Sequence, residues 1–197
     1  MNDPIDLLLD SFESALGAEE GNARYATLTT VDETGCPVSR TVTIRDMTRE
    51  GISIYVNGQS PKMMHLRLNA IYELLLFWPS SLRQFRVRGR YKVLSSEHQR
   101  SAWRQKPYAG KLYDLFQVYE QPQSSILPSR DAYLSKAEAL RQRFPEQADL
   151  PMPEDAVTLQ IMPDYIESWL PSMEDRLHDR RLYRLAGGQW TCQVLVP

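Results

Sequence analysis

The chain has 197 residues, 42% of them hydrophobic and 24% charged, which suits one folded domain with its own core and excludes long disorder. Its formal charge of −2 argues against a generic nucleic-acid binder, a role that shows as a basic domain. Cys36 and Cys192, without CxxC spacing or a histidine cluster, argue against a zinc site, and the first residues lack the leader or apolar run of a secreted or membrane-spanning chain, so the expected location is the cytoplasm.

Asp3 and Pro4 open a first helix in which Ile5, Leu8, Leu9, Phe12 and Leu16 recur at helical spacing, with Gly17 as its stop. Its apolar face suits either the protein's own sheet or a partner chain. Ala26 to Val31 reads as a strand, Asp32 to Gly35 as a turn, and Val38 onward as the returning strand of a hairpin over 26–44. Within the returning strand Val42 and Ile44 alternate with Thr41 and Thr43, and Arg40 and Arg45 bracket them. After Gly51, Ile52 and Ile54 alternate with Ser53 and Tyr55 in a third strand. Asn57 and Gly58 break it. Ser60 is placed to cap a helix running to about Leu68, Pro61 suits the first helical position, and Lys62 adds a cation beside free backbone amides. This is the local chemistry of a phosphate site; the plainer alternative is an ordinary helix start with solvated surface cations.

Tyr72 to Trp78 is a short apolar run bounded by Asn69 and Pro79, the mark of a buried strand. Phe85 to Val93 alternates cleanly, with Phe85, Val87, Gly89, Tyr91 and Val93 on one face and Arg86, Arg88, Arg90 and Lys92 on the other. The basic face reads as a solvated exterior that deters edge pairing, in preference to a nucleic-acid track; a third option is the acidic surface of a second subunit. Ser95 opens a helix to about Arg104, and Ser129 or Asp131 opens another to about Phe144; between them Tyr119 to Pro128 is rich in Gln, Ser and Pro, as in a flexible or ligand-pinned connection. Val157 to Met162 and Ile166 to Trp169 return to strand, a charged turn spans 174–181, and Leu182 to Leu185 pairs with Trp190 to Val196 across Gly187 and Gly188. Many short strands with little helix between them predict a barrel, mainly β with peripheral helices, as one domain over 1–197.

Laid out in this order, the sequence resembles the pyridoxine/pyridoxamine 5'-phosphate oxidase family, homodimeric FMN enzymes on a split β-barrel. The similarity runs through Asp3-Pro4 and its helix, the ATLTTVDETGCP hairpin, RTVTIR at 40–45, YVN at 55–57, QSPK at 59–62, LRQF at 82–85, QPQSS at 121–125, ESW at 167–169, RLHDR at 176–180 and the closing WTCQVLVP. The resemblance implies that Arg40 and Lys62 hold the FMN phosphate with the backbone at Ser60, that Thr41, Val42, Thr43, Ile44, Arg45, Tyr55 and Val56 line the flavin, and that Gln84 hydrogen-bonds its ring. It implies that Gln123, Ser124, Trp169 and Arg180 come from the other subunit, with FMN at the interface and residues 157–197 completing the site. Arg45, Lys106, Arg176 and His178 are then expected to face the substrate, with Arg176 and His178 as catalytic residues. The family's chemistry is hydride transfer from an amine or alcohol carbon to FMN, followed by reoxidation with oxygen. No metal, nucleic acid or membrane is expected.

The sequence departs from the family where the substrate phosphate is held by a Lys, a Tyr, an Arg and a Ser. The matching positions here are Arg45, Ala102, Lys106 and Gly110, so two hydroxyls are gone and the cations are exchanged in kind. Losing two hydrogen bonds to a charged group costs on the order of 3 to 6 kcal/mol of binding. Tyr108 is a candidate to restore one hydroxyl, and Pro61 stands where many relatives are basic. The alternatives are an FMN oxidoreductase with a different substrate, a non-catalytic carrier of flavin, haem or pyridoxal phosphate, and a structural dimer without cofactor.

Overall fold

A computed structural model describes residues 3–197. Helix α1 (Pro4–Gly17) begins where Asp3 accepts a hydrogen bond from the Ile5 amide at 2.9 Å. Its apolar face lies on the protein's own barrel, with Leu8, Phe12 and Ala15 buried and the Phe12 and Trp78 rings 6.1 Å apart. Strands β1 (Tyr25–Val31) and β2 (Pro37–Thr48) form the predicted hairpin, and β3 (Gly51–Asn57) pairs antiparallel to β2. Helix α2 (Pro61–Asn69) follows, then β4 (Tyr72–Trp78) and β5 (Arg83–Val93).

Helices α3 (Ser96–Gln105), α4 (Tyr108–Tyr119) and α5 (Arg130–Arg143) stand between β5 and β6 (Ala156–Leu170), and the chain ends in the hairpin β7 (Asp179–Ala186) and β8 (Gln189–Val194). The strand order is β3-β2-β1-β4-β5-β6, closed by pairing of β3 with β6, while β7 and β8 continue outward from β6. Closure removes the edges that an open sheet of these strands would expose. The interior is filled by one cluster that includes Leu28, Ile44, Ile54, Leu74, Leu76, Trp78, Phe85, Val87 and Ile161, all almost fully buried.

Three differences from the sequence reading have physical causes. Helix α4 was not anticipated; with Leu140 and Leu150, its Leu112, Leu115 and Phe116 join Trp103 of α3 in a second apolar cluster beside the barrel. The strands expected at 157–162 and 166–169 are one strand, β6: Pro163 is absorbed where the register shifts between Arg88 and Gly89. The first strand of the closing hairpin begins at Asp179 rather than Leu182, because Asp179, Arg180 and Arg181 pair with Leu170, Trp169 and Ser168.

On the outer face, the basic stripe is largely matched within the chain. Glu73 accepts from Arg86 Nε at 2.8 Å and lies 2.7 Å from Arg88 Nη2, and the buried Glu167 lies 3.2 Å from Arg86 Nη1. Arg90 and Lys92 are exposed. No helix among the described residues is long and apolar enough to cross a membrane.

Candidate functional site

The outward side chains of β2 form the floor of a cavity of about 690 Å³, a size usual for a small-molecule site. Alternation explains part of the floor: Val42 and Ile44 turn into the core, so Thr41, Thr43 and Arg45 are left toward the cleft, while Arg40, which shares the parity of Val42 and is bonded to the buried Thr30, lines the cleft from the core-facing side, as Val42 does at its edge. Tyr55 and Val56 of β3, Lys62 at the start of α2, and residues of α3 and α4 complete it.

At one end, Lys62 is 8% exposed, and its Nζ donates to Gln123 Oε1 at 2.9 Å. Burial, with the neighbouring Arg40 charge, lowers its pKa from the usual 10.5 to about 8. Arg40 is half-buried, and burial lowers its pKa also. Its Nη1 donates to Leu28 O at 3.0 Å and to Thr30 Oγ1 at 2.7 Å, and that hydroxyl is 2.9 Å from Nδ1 of the buried His65. Two desolvated cations stand together, and the groups that fix them are neutral. The helix start departs from expectation: the Ser60 hydroxyl donates to Asn57 O at 2.6 Å instead of capping α2. Met63 N bonds Ser60 O at 2.9 Å and Pro61 has no N–H, so the Lys62 amide is the opening-turn donor left without a backbone partner among the described residues.

About 16 Å further along β2, at ~3.3 Å per residue, the cleft holds Arg45, Lys106 and Asp114. The Arg45 guanidinium lies over the Tyr55 ring, 5.2 Å from its centroid. Lys106 Nζ pairs with Asp114 Oδ2, and burial raises the Asp114 pKa against the opposing pull of Lys106 and Arg45. Ala102 and Gly110 line this end as the sequence comparison implied. Tyr108 does not: its hydroxyl donates to Phe144 O at 2.8 Å, within the helical cluster.

The structure brings together Arg40, Thr41, Val42, Thr43, Arg45, Tyr55, Val56, Lys62, Lys106, Gln123 and Ser124. Ile44 is fully buried in the barrel and does not line the cleft. Gln123 and Ser124, expected from a second subunit, belong to the cleft of their own chain, because the 121–125 loop folds back onto Lys62; Ser124 has φ +70. Gln84, Trp169, Arg176, His178 and Arg180 lie outside it. Gln84 and Trp169 pair across β5 and β6, and Arg180 faces Trp169 from β7. Arg180 Nε donates to Glu167 Oε1 at 3.0 Å, and the His178 ring is 5.3 Å from the Trp169 ring. The Ser172 amide donates to His178 Nδ1 at 3.0 Å, so a neutral His178 carries its proton on Nε2. Arg176 is exposed with φ +63.

Sequence reading missed Asn57, Gln99, Trp103, Asp114 and Gln117 as cleft residues. The signal for three of them was the spacing of Leu112, Leu115 and Phe116, which marks a helix whose opposite side carries Asp114 and whose companion carries Gln99 and Trp103.

The closed six-strand barrel with its β7–β8 extension defines a split-barrel protein, and solved structures share it. PhzG from Burkholderia lata 383, in complex with tetrahydrophenazine-1-carboxylic acid, superposes with a TM-score of 0.85 at 24% identity, over 100% of this chain and 94% of the other. A pyridoxamine 5'-phosphate oxidase-related, FMN binding protein from Nostoc punctiforme PCC 73102 gives 0.76 at 17% identity, with both chains covered in full. Residues 7–95 match the family profile described as pyridoxamine 5'-phosphate oxidase, FMN-binding domain. A pyridoxine/pyridoxamine 5'-phosphate oxidase of Legionella pneumophila (strain Paris) is 35% identical over 100% of this chain and 88% of its own length. One of Acinetobacter baumannii (strain SDF) is 31% identical over the same shares. This chain belongs to the pyridoxine/pyridoxamine 5'-phosphate oxidase family.

Proposed function

We propose that this protein is an FMN-dependent oxidoreductase that acts as a homodimer on a small-molecule amine or alcohol. The observation that carries the reading is Lys62, desolvated beside Arg40 and held by the neutral Gln123. A phosphate dianion there relieves the repulsion between the cations and accepts charge-assisted hydrogen bonds from both, with the Lys62 amide as a further donor. The residues therefore fit FMN: Arg40 and Lys62 on its phosphate, Gln123 and Ser124 beside it, and Thr41, Thr43, Tyr55 and Val56 along the rest of the cleft. When bound, FMN supplies the hydride acceptor and the route of electrons to oxygen. The chain's own groups bind and orient. Arg176 and His178 meet the substrate from the partner copy, with Trp169 and Arg180, and the Nε2 proton of His178 is available to a substrate oxygen or nitrogen.

The test is the visible spectrum of the purified protein, with titration of FMN into flavin-free protein. Lys62→Met is expected to weaken FMN by about 10- to 100-fold, the range for losing a hydrogen bond to a charged group. A colourless protein that takes up no FMN overturns the reading.

Pyridoxamine and pyridoxine 5'-phosphate, the substrates named for the relatives, are the first to assay for peroxide and pyridoxal phosphate. A second reading, a different substrate on the same cofactor, is favoured by one observation: Lys106 is already paired with Asp114, and Ala102 and Gly110 supply no hydroxyl.

A further inference from the structure

The cleft carries charge at both ends, and the ends differ. Among the described residues, no carboxylate is paired with Arg40 or Lys62, whose partners are Leu28 O, Thr30 Oγ1 and Gln123 Oε1. At the far end Arg45 is exposed, and among the described residues nothing accepts a hydrogen bond from its guanidinium. Lys106 is committed instead: its Nζ is bonded to Asp114, with side chains 14% and 25% exposed. Its stem crosses Gly110, where an added Cβ would stand 2.9 Å from Lys106 Cε and 3.3 Å from Cγ. Gly110 thus gives the lysine room to fold back along α4 onto Asp114. Two cations and one carboxylate leave this end with a single net positive charge, in a cavity whose lining also includes the apolar Ala102, Trp103 and Val42.

We propose that the Arg45 end of the cleft selects substrates that carry one carboxylate on an apolar ring system, and discriminates against phosphate monoesters. The proposal rests on the FMN reading, which assigns the Arg40–Lys62 end to the cofactor phosphate. A carboxylate matches the planar fork of Arg45 and leaves the Lys106–Asp114 pair intact. A phosphate dianion leaves one charge unmatched, or draws Lys106 away and strands a partly buried Asp114 carboxylate beside a second anion.

Benzoate and phenyl phosphate share a ring and differ in head-group charge. Each is titrated into FMN-loaded protein at about pH 8, above the second phosphate ionisation, and read by the shift in flavin absorbance. Benzoate is expected to bind about tenfold more tightly, and Asp114→Asn to raise phenyl phosphate affinity about tenfold by removing the opposing charge. The double variant Lys106→Met, Asp114→Leu keeps the net charge and is expected to keep the benzoate preference. Equal or tighter phenyl phosphate binding by the unaltered protein, binding of neither probe, or a ratio unmoved by Asp114→Asn overturns the proposal. Failure of the cofactor reading shows separately, as absent visible absorption before any probe is added; the change in the ratio on Asp114→Asn, read by tryptophan quenching, still decides the carboxylate selection.

Discussion

Lys62 links burial to a measurable pH dependence. Between pH of about 8 and 10.5, the unfolded chain keeps a proton on this lysine that the folded, flavin-free chain has released, so stability rises with pH across that window. The gain reaches up to about 3 kcal/mol, the free-energy equivalent of that pKa difference. A bound phosphate reverses the effect by favouring the ammonium, so binding above about pH 8 takes up a proton and FMN affinity falls by up to about tenfold per pH unit. Lys62→Arg, which does not titrate there, is expected to flatten the affinity profile between about pH 8 and 10. Equilibrium titrations at several pH values check both. His178 has a different place: it touches neither Lys62 nor Arg40, and its ring is set by the Ser172 amide and by Trp169. His178→Ala is expected to lower turnover at least about a hundredfold, the lower end of the range for losing a proton-handling group, while bound flavin per chain stays near that of the unaltered protein. Steady-state assays and absorbance of released flavin separate the two.

At the scale of elements, the site's two halves were unequally legible. Lys62 could be read from the sequence because a helix start is a local pattern that fixes where its own residue points, and Arg40 because it stands at the head of the RTVTIR strand, although alternation alone would turn it to the face of Val42 and Ile44. Asp114 could not, because Pro107 and Gly110 hide the opening of α4 and its apolar face is matched by residues distant in sequence, from α3, Leu127, α5 and the segment at Leu150. The position of the 121–125 loop depends on a contact between residues 61 positions apart, Lys62 and Gln123, that no periodicity announces. The barrel itself was readable except at Pro163, where a break in the pattern turned out to be a bulge in one long strand. That bulge needs Gly89: an added Cβ would lie 2.1 Å from Met162 O and 2.9 Å from the Asp164 amide, both backbone atoms with no freedom to retreat. Gly89→Ala is therefore expected to destabilise the protein by about 2 to 3 kcal/mol, read as a lowered urea midpoint.

At the scale of the molecule, the residues assigned to one cofactor lie on two separate parts of a chain. Arg40 and Lys62 stand in the cleft, while Trp169 and Arg180 stand on the outer face of β6 and β7. One site formed from both sets requires two copies, each lending its β6–β7 face to the other's cleft, and a two-fold arrangement then makes two such sites at once. This has a consequence that mixing reveals. Lys62→Met damages the cleft and Arg180→Ala the donated face, so each variant alone is expected to bind FMN weakly at both of its sites. If the two are unfolded together and refolded as an equal mixture, half of the dimers are heterodimers by random pairing. In each heterodimer one site combines the two lesions, and the other joins an intact cleft to an intact face. About a quarter of all sites should then recover tight FMN binding, the share set by a two-fold dimer with shared sites. If each chain builds its site alone, mixing restores none, and the retained flavin per chain after gel filtration distinguishes the two outcomes.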